Sequence, residues 1–394
     1  MSIRHNIKSS NYTLKPIKMK TFFLPGLLPT VIVNNVKSIL TRLFTVSIFL
    51  IPLVFIGACS AAQQHSLLAL SKADHTLAIV DPVTLKVIAK VPVGSDPHEV
   101  IASSDGKTAY VSIYGGGSLH EINVIDLVTK KSLYNIETRP FLGPHGLTFV
   151  GGKLWFTVEG SKCVGRYDPV TKKIDWCMGT GQDRTHMIYV TPDEKSVYTT
   201  NVSSGTVSIL TNTLFAPPAG PVQPPPPAAG GSKPNGPPPG FGPRHQWIQT
   251  VIPVSKGSEG FDVTPDGKEL WTASADDGTI AVIDLATMKV SSTIDAKVLG
   301  ANRLQFTPDG KTALVSSLRN GDLCVFDVAS HKEIKKINMG HGGAGILVEP
   351  NVSRAFVGCT PDNYVAVIDL KTLEVINHID VGGGPDGLAW TVRN

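Results

Sequence analysis

Cysteine is scarce in this chain, five residues in 394, and no two of them form a Cys-x-x-Cys pair. Thiol-redox motifs, zinc ribbons and covalent haem attachment therefore have no footing. An excess of one charge is also missing. The 36 Lys and Arg against 32 Asp and Glu leave a net charge of +4 with no concentrated basic block, which argues against a dedicated nucleic-acid binder. There is no nucleophile elbow and no His-Glu-x-x-His metal motif. Long apolar runs are absent apart from residues 43–58, which are interrupted by Pro52 and short for a membrane span.

What is abundant is glycine and proline, 38 and 29 residues, as expected of many short strands joined by tight turns. Residues 259–296 show the unit most clearly. Strands are expected at 261–264, 270–273, 279–283 and 289–294, with Pro265-Asp266-Gly267-Lys268, Asp276-Asp277-Gly278 and Asp284–Thr287 turning the chain between them. The third strand recurs with end residues Asp81, Asp126, Asp168, Thr211, Asp284, Asp327 and Asp369, spaced 45, 42, 43, 73, 43 and 42 residues apart. A period in the low forties with four strands per period signals a β-propeller. The expected fold is thus all-β: a seven-bladed propeller of four-stranded antiparallel blades. The near-continuous apolar third strands suit sheets covered on both faces by neighbouring blades. The last copy is followed by a lone first strand at 385–391, and the chain from Leu67 supplies only second, third and fourth strands. The two ends should therefore share one blade and close the ring.

The one long step holds an insertion, residues 216–245, rich in proline at 224–227 and 237–239. It is expected to be a solvated loop with polyproline character in blade four, either a tolerated insertion or a docking segment. Ahead of the propeller, Lys37 and Arg42 precede the apolar run, which ends Ile56-Gly57-Ala58-Cys59. That layout is a signal peptide, and its end resembles a bacterial lipobox with Cys59 as the lipidated residue. The expected organisation is a leader at 1–58 (with Met19 an alternative start), a tether at 59–66 and a propeller at 67–394. It implies a lipid-anchored protein of the bacterial cell envelope, periplasmic or surface-exposed, and a monomer. Cys163 and Cys177 flank one hairpin turn, and an oxidising compartment would permit a disulfide there, whereas Cys324 and Cys359 lie in apolar strands and read as buried thiols.

Two recurring motifs are better read as structure than as chemistry. Asp-x-x-Thr/Ser recurs in six copies, from Asp81/Thr84 to Asp369/Thr372, and suits a side-chain-stabilised turn. Gly-x-Gly-x-x-Gly at Gly340 and Gly382 matches a dinucleotide fingerprint, but no helix follows to hold a pyrophosphate. The informative column is the residue opening each first strand: His98, His145, His186, Glu259, Asn302, Ala344 and Asp386. First strands line the central channel, so these residues, with Arg303 beside Asn302, should meet at its mouth. Three histidines on consecutive blades with Glu259 next suit a divalent metal such as zinc or copper, or a general acid/base pair with Glu259 as ligand or base. They equally suit an inherited polar channel lining. Loops between second and third strands bring Glu159 and Asp362, among others, to the same face.

Val197-Tyr-Thr-Thr-Asn201-Val-Ser-Ser-Gly205 resembles the signature of the YVTN-type β-propeller family, with Thr199 in place of the usual valine, and Thr264–Lys268, Thr307–Lys311 and the Val-Ile-Asp-Leu-x-Thr segments at 282–287 and 367–372 match its neighbouring elements. The resemblance implies the fold from about Leu67 to Asn394 and leaves function open, since such propellers serve as enzymes, binding platforms and surface proteins. Two readings follow. One is a binding scaffold that presents its channel mouth to a small molecule or a protein. The other is a metal-assisted hydrolase or lyase, similar to seven-bladed lactonases and antibiotic-cleaving lyases that use a polar ring at the mouth.

Overall fold

The computed structural model describes residues 63–216 and 243–393. The leader, Cys59 and most of the proline-rich insertion lie outside them. The described chain forms seven four-stranded antiparallel sheets, each in consecutive order except one, which joins Pro385–Arg393 to Gln64–Ser71, Thr76–Asp81 and Lys86–Pro92. That sheet is the shared blade, here blade one. Its closing ladder pairs Leu67 with Trp390 and Leu68 with Ala389. The ladder runs back to Gln64, opposite Arg393, so the propeller begins there rather than at Leu67.

Burial follows position in the blade. Second and third strands are buried along nearly their whole length, as in Leu77–Val80 and Val365–Ile368, whereas outer strands such as Lys86–Pro92 alternate between exposed and covered residues. The core is distributed between blades. Trp271 and Val282 of blade five pack with Phe306 and Phe326 of blade six, and Trp155 of blade three packs with Leu210 of blade four. A single blade therefore has no core of its own.

The repeated aspartates are turn residues. Asp81 accepts the N–H groups of Val83 and Thr84 at 2.8 and 3.1 Å, and Asp126, Asp284, Asp327 and Asp369 act alike. The strands around the insertion are longer than expected. Thr206–Phe215 pairs with Arg244–Pro253 throughout, so Arg244 and His245 belong to the ladder. Cys163 and Cys177 are both free thiols. They do not face each other: Cys163 lies opposite Gly179 and Cys177 opposite Gly165, so the register sets them diagonally. Cys324 and Cys359 are buried, and burial pushes both thiols up to about 12.

One irregularity recurs in every blade. The first strand gains a residue on the second between its opening residue and the fourth residue, as where Pro144 pairs with Val158 but Leu147 with Phe156. The same shift occurs at Pro97, Thr185, Ser258, Ala301, Gly343 and Pro385. Each shift is a β-bulge, which bends the strand and re-aims the side chains it carries. Here it carries the column from His98 to Asp386. The residue after each column member is Gly at 146, 260, 345 and 387. A Cβ there would stand 2.3–2.5 Å from backbone atoms of the next first strand, so glycine lets these strands approach closely around the channel.

Candidate functional site

The bulged residues meet in a pocket of about 170 Å³ at the channel mouth, lined by His98, His145, His186, Glu259, Asn302, Arg303, Ala344 and Asp386. The sequence column is therefore assembled as expected. A second column joins it: the residue immediately after each second strand, of which Lys72, Tyr114, Leu318 and Thr360 line the pocket. Glu159 holds the same place in blade three and abuts His186.

The chemistry is set by ion pairing. Arg303 is almost fully buried and donates through Nη2 to Glu99 and through Nη1 to Glu259 at 3.2 Å. Glu99 belongs to blade two and Arg303 to blade six, so the pair spans the channel. Burial opposes the charge, but the two carboxylates outweigh it and raise the guanidinium's hold on its proton. Glu259 Oε1 also accepts from Asn302 Nδ2 at 2.7 Å and His186 Nε2 at 3.0 Å. Burial pushes its pKa up, yet His186, Arg303 and Arg184 hold it well below the carboxylate range.

His186 is clamped between two carboxylates, with Nδ1 3.3 Å from Glu159 and Nε2 3.0 Å from Glu259. Burial favours the neutral ring, but Glu259 and Glu159 prevail and raise its pKa. Glu159 itself, against burial, is lowered to about 2 by His186, Tyr114 and Arg184. On the other side, His98 Nε2 is 2.9 Å from Lys72 Nζ while Nδ1 is 3.3 Å from Asp96. The ammonium donates to Nε2, which assigns the proton to Nδ1. Burial lowers the His98 pKa accordingly. Lys72 is also 3.3 Å from both Asp96 and Asp386.

His145 lies between these groups. Its ring centroid is 3.8 Å from that of His186 and 5.0 Å from those of His98 and Tyr114. It is 1% exposed, and Nδ1 has no hydrogen-bond partner among the described residues. Burial, then the neighbouring His186 charge, lowers its pKa well below the usual histidine value.

These contacts bear on two expectations. Of the expected zinc or copper ligands, His186 has both nitrogens against carboxylates and His98 Nε2 lies 2.9 Å from Lys72, and among the described residues no group of three His, Cys, Asp or Glu is disposed to hold a metal ion. Glu259, expected as ligand or base, accepts three donors on one oxygen, which hold it anionic and lower its affinity for a proton. Sequence reasoning passed over Lys72, Asp96, Glu99, Tyr114 and Arg184. Two signals were present for some of them: the position after each opening residue (Glu99, Arg303) and the position after each second strand (Lys72, Tyr114).

Fold and site together define a seven-bladed β-propeller with an ion-paired pocket at one end of its channel. Residues 244–354 match the family described as YNCE-like beta-propeller. No curated protein matches the chain. Among solved structures, a protein of unknown function from Desulfotomaculum acetoxidans aligns at TM-score 0.65 and 11% identity, over 84% of this chain and 99% of its own. A candidate 6-phosphogluconolactonase from Bacteroides uniformis aligns at TM-score 0.63 and 13% identity, over 83% and 99%. Hydrazine synthase from Kuenenia stuttgartiensis aligns at TM-score 0.58 and 17% identity, over 74% and 89%. At these identities the similarity is one of fold.

Proposed function

We propose that the protein is a binding propeller whose channel mouth takes a small polar molecule, carried outside the cytoplasm on a lipid attached at Cys59. The observation that supports this most is His145. It is a buried, uncharged imidazole lining a small polar pocket, with an unpartnered nitrogen, while every charged group around it is already paired. Buried polar atoms are rarely left unpaired, and a ligand hydrogen bond would complete this one. The paired surroundings form a preorganised frame, and about 170 Å³ accommodates a molecule of sugar-acid or amino-acid size rather than a polymer.

The test is a thermal-shift panel of sugar acids, lactones, amino acids and nucleosides against the wild type, His145→Ala and Tyr114→Phe. A compound that raises the melting temperature of the wild type, and raises that of His145→Ala much less, supports the reading. Equal shifts in both would overturn it for that compound, and no shift from any member would turn the search to protein partners.

A second reading is favoured by the opposed protonation of neighbouring histidines. A His145 driven toward the neutral ring beside a His186 drawn toward the cation suits a base and an electrostatic stabiliser, and the likeness to a candidate lactonase makes lactone hydrolysis the first activity to assay. Turnover lost in His145→Ala would favour it.

A further inference from the structure

Beyond the Arg303–Glu99 pair the channel opens into a second chamber of about 360 Å³. Its lining is of the opposite character, with Leu147, Met187, Phe261, Leu347 and Trp390 contributed by five different first strands. Besides the Glu99 and Arg303 pair at its wall, one ionisable group lines it. Asp262 accepts the N–H groups of Val263 and Phe306 at 2.8 and 2.9 Å and forms no ion pair among the described residues. It is enclosed by protein but retains some accessible area, and it lines the chamber. Every other carboxylate deep in the channel has a cation: Glu99 and Glu259 have Arg303, and Glu159 has Arg184 and His186. A buried carboxylate without a counter-charge is costly, and here burial pushes its pKa up to about 6, so it is ionised at neutral pH.

We infer that this chamber is a second binding site, which takes an organic ammonium ion with an apolar body. The cationic head sits against Asp262, in a chamber that the aromatic residues Phe261 and Trp390 also line. The apolar side chains take the body. This site is separate from the mouth and does not depend on the function proposed for it.

The probe is benzyltrimethylammonium, titrated calorimetrically at about pH 8, where carboxylates are ionised, with benzyl alcohol as the uncharged analogue. Saturable binding by the wild type is expected, weaker by about tenfold or more for benzyl alcohol and for Asp262→Asn. Leu347→Trp, which narrows the chamber and leaves Asp262 in place, should weaken binding, and Arg184→Ala at the mouth should leave it unchanged. The proposal fails if the wild type does not bind at about 10 mM, the upper end of weak ligand affinity, if benzyl alcohol binds equally well, or if Asp262→Asn retains full affinity. Should Asp262→Asn not fold, Leu347→Trp decides: weakened binding supports the site, and full retention overturns it.

Discussion

His186 and His145 lie with ring centroids 3.8 Å apart, yet their surroundings drive them in opposite directions, one toward the cation and one toward the neutral ring. The cationic partner makes a testable contribution to stability. Because its folded pKa is raised above 6.5, that contribution is complete below 6.5 and is lost as pH rises through the folded value. Glu159 and Glu259 behave inversely: their contributions are complete above 4.5 and fade as pH falls through their depressed values, about 2 for Glu159. Breaking a buried pair on one side costs about 3 kcal/mol, so His186→Gln should lose about that much in urea unfolding near pH 6. The deficit should shrink as pH rises through the His186 value, and a deficit independent of pH would contradict the clamp. Elemental analysis supplies a second check on the same residues. Since His186 has both nitrogens against carboxylates and His98 is engaged by Lys72 and Asp96, neither zinc nor copper is expected in stoichiometric amount. A metal retained by the wild type and lost in a His98, His145 and His186→Ala triple variant would contradict this. The convergence of the three histidines was legible from their equivalent places in the repeat. Their charge states were not, because these depend on Lys72, Glu159 and Glu259, which come from other blades and are brought near only by ring closure.

At the scale of the strand, the bulge shared by all seven first strands explains why two successive residues, such as Asn302 and Arg303, can both reach the channel. Regular alternation would send one of them into the sheet. Glycine in the second bulge position is what lets neighbouring strands close in. A Cβ on Gly260 would lie 2.4 Å from Arg303 Cα, and one on Gly345 would lie 2.3 Å from the Asp386 carbonyl oxygen. Gly260→Ala should therefore destabilise the protein by about 1–3 kcal/mol, the usual cost of overpacking, and displace Arg303 from Glu259. Wild-type stability in thermal unfolding would contradict the close approach. The four-strand period, the turns and the shared blade were all readable from apolar runs and Asp-Gly turns. The bulge was not, because it is a property of pairing: nothing within Pro144-His145-Gly146 reveals that Leu147, not Gly146, pairs with Phe156.

Across the whole molecule, the Arg303–Glu99 pair divides the channel into a charged mouth, where His145 Nδ1 lacks a hydrogen-bond partner, and an apolar chamber, where Asp262 lacks a counter-charge among the described residues. Seven similar blades make a ring, and divergence at equivalent positions makes it asymmetric. After the second strands stand Lys72, Tyr114 and Glu159 on blades one to three but Val202, Ala275 and Leu318 on blades four to six. The ionisable members of this column are thereby confined to blades one to three, while Glu259 and Arg303 of the first strands carry charge on blades five and six. The central claim is that the mouth is a preformed frame of paired charges around one neutral, unpartnered imidazole. Nitrogen-15 spectra of the histidine rings, followed from about pH 8 to about pH 5 across the ordinary histidine range, test it most directly. His186 should take up its second ring proton above the usual value and His145 below it. Two rings that titrate together near the ordinary value, or in the reverse order, would mean that the frame does not form.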